Sequence, residues 1–363
     1  MNLEAAERRE QILAALVEAG SVGVSGESLA SALGCSRAAV HRHVDGLRRD
    51  GVDIVSAHDG YRVAEGADPV ASALVGPRLV APLGGPITWL ASVGSTNDEL
   101  IAQARRGAPE GTIIGADRQH AGRGRRGRTW LAAPGDALLV SVLLRPDIAP
   151  VDVGLLPIVA AVGVADSLGP DARIVWPNDI LIDGRKVAGI LCEMSAEQDR
   201  VSWAVVGVGI NVHSAPDLDD ARWRPGALSA RGVAPARGEL LVDLLAHLGG
   251  RYREWLETGS RGILAGFAER DALVGRDITV SLPVGEISGR CGGTDDLGRL
   301  RVLTSTGERL LGAGEVVRGF PGVLGAQGVG VRSTPRLPDA GHGGGSSTTT
   351  SPTSTRPTRT TLA

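Results

Sequence analysis

Lysine is almost missing from this chain. Of 38 lysine and arginine residues, Lys186 in "IDGRKVAGI" is the single lysine and the other 37 are arginine. Either an arginine-biased composition left one by chance, or this position needs a compact, strongly hydrated ammonium that a planar guanidinium fork cannot replace. Cysteine is also scarce: Cys35, Cys192 and Cys291 lie too far apart for a zinc-type pair. Their odd number, and a charged, helical opening "MNLEAAERREQ" in place of a secretory leader, predict reduced thiols in a cytoplasm. Net charge is only −3, so no global field favours nucleic acid or membrane, and any such affinity needs a local patch. The longest apolar run, "LLPIVAAVGVADSLG", contains Asp166 and is too short for a membrane span. What is present is an ordinary globular composition, 42% hydrophobic and 22% charged over 363 residues, enough for two or three domains.

Residues 1–65 read as a small helical unit ending in a hairpin. Ile12, Leu13, Leu16 and Val17 form an apolar stripe at helical spacing, and Leu29 and Leu33 mark a second short helix. Ser36 is placed to cap a third helix whose Val40, Val44 and Leu47 face inward. The intervening turn "LGCS", with Gly34, gives helix-turn-helix geometry. "VDIVSAHDGYRV" adds two short strands around an expected Asp59-Gly60 turn, a hairpin wing. Arg37, His41, Arg42, His43 and Arg48 lie on the polar side of the third helix, where a DNA-reading helix needs donors for phosphates and base edges. The competing reading is a solvated basic face on a protein-binding unit.

Residues 66–85 mix Gly, Pro and Ala and read as a linker. From 86 to 270 strands such as "GTIIGAD", "ALLVSVLL", "KVAGILCEM" and "SWAVVGVGINV" alternate with helices such as "TNDELIAQARRG", an α/β region. A two-residue turn at Asp183-Gly184 makes part of its sheet antiparallel. Residues 271–320 hold short strands broken by Gly, consistent with a small β-barrel. Residues 323–363, ending "GGGSSTTTSPTSTRPTRTTLA", have no core-forming pattern and are expected to be disordered. The predicted class is α+β, multi-domain.

The chemistry concentrates in three places. "HAGRGRRGRTW" contains Gly122, Gly124 and Gly127 at G-x-G-x-x-G spacing, but no apolar helix follows, so a dinucleotide fold fails its context test. What remains is a glycine-rich loop with Arg123, Arg125, Arg126 and Arg128, whose mutual repulsion predicts a mobile loop that phosphate oxygens would order. The alternative is an exposed basic turn for nucleic acid. Trp130 beside it favours closure over an aromatic base or ring. In "VWPNDILIDGRKVAGILCEM", Pro177 ends ladder pairing so that Asn178 and Asp179 can face a cavity shared with Lys186, although an Asx turn accounts for "WPND" equally well. In "VVGVGINV", Gly207 and Gly209 leave room for a ligand against the backbone, and Asn211 either reads an adenine edge or is a buried, bonded amide.

Together "GSTNDEL", "RQHAGRGRRGRTW", "WPNDILIDGRKVAGIL" and "VGVGINV", in this order and spacing, resemble the bacterial biotin–protein ligases. With a winged helix in front and a small barrel behind, the chain is similar to the bifunctional class, biotin ligase and biotin operon repressor in one, over residues of about 8 to 320. The resemblance implies a central mixed-sheet domain of the class II synthetase and biotin–lipoate ligase type. It implies that biotin and ATP are substrates, with Mg²⁺, and that a biotinyl-AMP anhydride is handed to a lysine of biotin carboxyl carrier protein. It places Ser95, Thr96 and Asn97 along the biotin pocket, with Ser95 and Gln119 on the ureido group. Gly122 and the Arg123-Gly124-Arg125 stretch wrap the carboxyl and phosphate, Trp130 closes over the nucleotide, and Gly207, Gly209 and Asn211 complete the ligand site. Lys186 and Arg125 are the implied catalytic residues, with Asp179 orienting or deprotonating the acceptor amine. Arg37, His41 and Arg42 are the implied operator contacts, no resident metal site is implied, and a homodimer forms when adenylate is bound. Arg318 would be a basic residue near ATP. The sequence departs from the family at Val175, commonly Lys, and at Thr129, often basic. Two other readings share these parts: a ligand-responsive regulator without ligase activity, and a lipoate-type ligase, against which the tight "GRGRRGR" loop argues.

Overall fold

The computed structural model describes residues 3–196, 200–218, 223–319 and 360–361. Helices α1 (Leu3–Ala19), α2 (Gly26–Ala32) and α3 (Arg37–Arg49) are followed by the hairpin β1 (Ile54–Ala57) and β2 (Gly60–Val63). Ser25 and Ser36 cap α2 and α3, their hydroxyls accepting from the Ser28 and Ala39 backbone N–H at 3.0 and 3.2 Å. Ile12, Leu16, Leu29, Val40, Val44 and Leu47 form the core of this unit. The wing differs from expectation by one residue. Ala57 pairs with Gly60, so the turn residues are His58 and Asp59. Gly60 is instead required by close approach, because a Cβ there would stand 2.6 Å from the Val24 carbonyl carbon, where Val24 and Tyr61 exchange backbone hydrogen bonds.

The connecting segment is packed rather than free. It contains α4 (Ser72–Val75); Val70, Val75 and Leu83 enter the large core, whereas Ala71 and Leu74 join that of the helical unit. Asp68 bolts it down. Its carboxylate accepts the Arg237 backbone N–H at 2.7 Å, its carbonyl accepts Arg237 Nε at 3.0 Å, and the Arg237 guanidinium also meets Asp117 at 2.9 Å.

The central domain runs β3 (Ile87–Leu90), α5 (Thr96–Arg105), β4 (Ile113–Ala116), β5 (Ala137–Leu144), α6 (Leu156–Ser167), β6 (Arg173–Val175), β7 (Asp179–Ile182), β8 (Arg185–Ala196), β9 (Val201–Asn211), α7 (Arg237–Thr258) and α8 (Ser260–Arg270). The strands lie in the order β3-β4-β5-β9-β8-β7-β6, with β3 and β4 parallel and every other neighbouring pair antiparallel. The strands are apolar on both faces because both are covered. Val140, Val142, Val206, Val208 and Ile190 pack under α6, α7 and α8. Leu143, Val205 and Ile114 pack under α5. The long apolar run is α6, buried along its length between the sheet and α7. Asp183 and Gly184, both at positive φ (51° and 71°), form the expected β7–β8 hairpin turn.

The C-terminal unit consists of β10 (Asp277–Ser281), β11 (Glu286–Thr294), β12 (Leu300–Thr304), β13 (Gly307–Leu311) and β14 (Glu315–Arg318), antiparallel in the order β13-β12-β11-β10-β14. Its Ile278, Val280, Leu300, Val302 and Val316 continue the core of the central domain, and Trp176 Nε1 donates to the Gly298 carbonyl at 3.0 Å. The expected disordered tail lies outside the described residues apart from β15 (Thr360–Thr361), which pairs with Met194 and Glu193 of β8.

The three cysteines are free thiols, and burial pushes Cys192 up to about 12 and Cys291 up to about 11. A thiol reagent at neutral pH should label half-buried Cys35 in the native protein, with Cys192 and Cys291 reacting only after denaturation. Mass spectrometry of native and denatured samples checks this, and native labelling of Cys192 would contradict the fold.

Candidate functional site

The uncovered part of the α5-side face has a glycine floor. Gly189 pairs with Gly209 and Leu191 with Gly207, and all four line one cleft. The glycines do not leave open backbone for a ligand, as the sequence suggested. A Cβ on Gly207 would collide with the side-chain amide of Asn97. A Cβ on Gly209 would stand 2.5 Å from Trp130 Cε2, and one on Gly189 would stand 2.8 Å from Trp130 Cζ3. The protein's own amide and indole rest on the floor. Gly122 is likewise structural: its carbonyl accepts the Trp130 N–H at 2.9 Å, and a Cβ there would lie 2.7 Å from the Trp130 carbonyl oxygen.

Lys186 reaches this face through a bulge. Asp179 pairs with Gly189 and Ile180 with Ala188, but Leu181 pairs with Lys186, leaving Val187 as an extra residue. Simple alternation from Gly189 would send residue 186 to the opposite face; the bulge turns it back. Lys186 Nζ therefore lies 2.7 Å from Asp179 Oδ1 and 5.7 Å from the centre of the Trp130 ring. Asn178 is locked beside them, donating to the Ile190 carbonyl at 2.7 Å. Asn211 sits behind Lys186, outside the cleft lining, where its Nδ2 donates to the Gly226 carbonyl at 2.9 Å; its buried Oδ1 has no hydrogen-bond partner among the described residues.

The N-terminus of α5 forms one wall. The Ser95 oxygen caps the helix, accepting from Asp98 N at 3.4 Å. Gln119 Oε1 accepts from Thr96 N at 2.7 Å, and the Ser141 hydroxyl lies 2.6 Å from Asn97 Oδ1.

The arginine loop closes the cleft as a strap, and its charges are compensated. Arg123 donates to both oxygens of Glu193 at 3.0 and 2.6 Å and to Asp98 at 2.9 Å. Arg125 donates to Asn178 Oδ1 at 2.8 Å and to the Gly314 carbonyl at 2.9 Å. Arg126 reaches the Ser281 carbonyl at 3.1 Å, and Arg128 donates to Glu315 at 2.6 Å. The repulsion expected of these four arginines is thus offset by carboxylates from α5, β8 and β14. Arg318 is exposed opposite Thr279 and does not line the cleft; Glu315 lines it instead. Val175 is wholly buried in the core, whereas Thr129 lines the cleft.

Sequence reasoning missed Glu193, Glu315 and Ser141. An acid inside the apolar strand "AGILCEM" was a usable signal for Glu193, since buried acids need partners. Glu315 had none, because only the packing of β14 brings it to the strap.

On α3, Arg37, His41 and Arg42 are exposed, as a groove-facing surface requires. His41 Nδ1 is 2.9 Å from Asp45. Arg48 is not on that surface: it donates to the Ile54 carbonyl at 3.0 Å and to Ser56 at 2.7 Å, bracing the wing. Burial, then the charges of Arg9, Arg8 and Arg42, hold His43 below the ordinary histidine range.

The cleft thus sets an arginine strap and a lone amine over a glycine-floored mixed sheet, in a chain that opens with a helix-turn-helix unit. The Biotin/lipoate A/B protein ligase family matches residues 89–211, and an HTH domain matches residues 8–62. The bifunctional ligase/repressor BirA of Bacillus subtilis is 32% identical over 320 residues, covering 86% of this chain and 98% of that protein. BirA of Escherichia coli is 31% identical over 284 residues, 76% of this chain and 87% of that one. The biotin protein ligase of Aquifex aeolicus, solved with biotin and ATP, superposes with a TM-score of 0.54 at 28% identity, over 64% of this chain and 97% of that one. The chain belongs to the bifunctional ligase/repressor BirA family.

Substituting Gly209→Ala should lift the Trp130 indole off the floor and lower unfolding free energy by about 1–3 kcal/mol, the usual cost of overpacking. Urea unfolding with near-ultraviolet circular dichroism measures both; wild-type values in each would show that the floor is not filled by Trp130.

Proposed function

We propose that the chain joins biotin to a lysine of biotin carboxyl carrier protein through biotinyl-5′-AMP, and that its N-terminal unit represses biotin genes in response to the same ligand. The observation that carries the catalytic half is the convergence of Lys186, Asp179, Arg125 and Asn178 on one cleft closed by the strap. The biotin carboxylate attacks the α-phosphorus of ATP, and pyrophosphate leaves as the acyl–phosphate bond forms. The acceptor amine then attacks the acyl carbon, loses a proton, and AMP departs. The first step gathers negative charge at the α-phosphate and the second at the acyl oxygen and the departing phosphate, so positioned cations are the main requirement.

The residues divide that work. Ser95, Thr96, Asn97 and Gln119 form the vitamin side, with the Ser141 and Gln119 contacts fixing their amides and hydroxyls. Lys186 and Arg125 face the carboxyl and α-phosphate, and Gly124 lets the strap bend over them. Trp130 is the candidate for the base side, with Asn211 behind Lys186. Asp179 aims the Lys186 ammonium, a role that fits its ion pair better than proton abstraction does. Mg²⁺ enters as the ATP complex. Strap closure then shields the anhydride from water. An ammonium fits between a carbonyl and a phosphate oxygen where a guanidinium is too wide.

The exposed Arg37, His41 and Arg42 support operator binding by α3. A two-fold dimer formed by the adenylate-bound protein would match a two-fold operator. The cytoplasm is the compartment where ATP, carrier protein and DNA meet, and no membrane association is needed.

Lys186→Arg should fold and bind DNA but lose roughly a hundredfold or more of biotin-dependent ATP–pyrophosphate exchange. Near-wild-type exchange would remove Lys186 from the chemistry, and no exchange by the wild type would leave the regulator without ligase activity. Arg42→Ala should weaken operator binding and reduce the slope of log affinity against log salt by about one. Fluorescence anisotropy over a salt series tests this, and an unchanged slope would mean that Arg42 touches no phosphate.

A further inference from the structure

The strap is held at its two ends in different ways. At its far end Arg128 meets Glu315 and Arg126 meets a backbone carbonyl, while Arg128 itself stays about half exposed, 53%. At its near end Arg123 meets Glu193, whose side chain is only 2% exposed. Both Glu193 oxygens face the two terminal nitrogens of Arg123, and Oε2 also accepts from Asn97 Nδ2 at 3.0 Å. Asn97 in turn lines the cleft and fills the space above Gly207. Glu193 projects from the same face of β8 as Leu191 and Gly189 but is not itself among the lining residues.

We propose that Glu193 is a positioning residue that pins the strap at Arg123 and ties that pin to the vitamin side of the cleft through Asn97. Removing a bidentate cation from a buried carboxylate is strongly unfavourable, so Arg123 is held against Glu193. Opening is therefore confined to the strap beyond Arg123, which moves as a flap hinged at Gly124. The same pairing changes the role of Arg123. Its terminal nitrogens are directed to Glu193 and Asp98, and the carboxylate it holds is the buried one, so Arg123 is the post from which the strap hangs. One side chain thereby sets both the height of the closed strap and the orientation of the Asn97 amide. This inference rests on the ligase reading for its kinetic consequence but not for its structural one.

Full-length wild type, Glu193→Gln, Glu193→Asp, Arg123→Gln and the Arg123→Gln/Glu193→Gln pair should be compared in limited trypsin digestion and in pyrophosphate exchange. Glu193→Gln is expected to speed cleavage after Arg125, Arg126 and Arg128 about tenfold. It should raise KM for biotin by a similar factor while kcat changes less than about threefold, the pattern of lost binding rather than lost chemistry. Glu193→Asp should recover most of both effects, and the double variant should be no worse than Arg123→Gln alone. Wild-type cleavage and KM in Glu193→Gln, or additive losses in the double variant, would overturn the proposal. Should Glu193→Gln fail to fold, the Glu193→Asp and Arg123→Gln variants decide by the same two measurements. Absence of exchange in the wild type would defeat the ligase reading and leave strap cleavage to judge the pin.

Discussion

Charge compensation inside a single cleft is the constraint on which the rest of the structure depends. Arg123, Arg125, Arg126, Arg128 and Lys186 all line it, and two like charges 4 Å apart near a protein surface oppose each other by about 4 kcal/mol. Asp98, Asp179, Glu193 and Glu315 make the cluster tolerable. Each acid comes from a different element: α5, β7, β8 and β14. The cleft is therefore an assembled object whose cationic lining is tolerated because four elements supply acids to it.

The folding pattern makes that assembly possible. Both sheet faces are apolar, so helices cover both, and the glycine positions of β8 and β9 make room for Asn97 and Trp130 in the cleft. A single bulge then reverses side-chain parity at Lys186 and delivers the ammonium to Asp179. The C-terminal sheet shares the central core and so presents Glu315 and the Gly314 carbonyl at a fixed height above the floor.

The connecting segment extends this network towards the helix-turn-helix unit. Asp68, just after the wing, shares the Arg237 guanidinium with Asp117, two residues before Gln119 in the cleft wall. Arg237 is nearly inaccessible, at 2%, so these contacts are satisfied within the protein. A segment of Gly, Pro and Ala that reads as a loose linker is held in part by a buried arginine, because an inaccessible guanidinium must find acceptors and Asp68 is within reach.

Periodicity, caps and turn residues determined the elements: Ser36 capping α3, the Asp183-Gly184 hairpin and the alternation of strands with helices were all legible locally. Motif order determined the family, and with it the residues gathered around the cleft. What local sequence could not decide was orientation. It suggested Gly207 and Gly209 as ligand contacts, where the fold puts Asn97 and Trp130; it suggested Arg318 near the nucleotide, where the fold puts Glu315; and it suggested an unrelieved arginine loop, where Glu193 and Glu315 relieve it. Short-range rules specify which elements form and which way side chains alternate. The partner of a charge 70 or 187 residues away is set only when sheets and helices pack, as for Arg123 with Glu193 and Arg128 with Glu315.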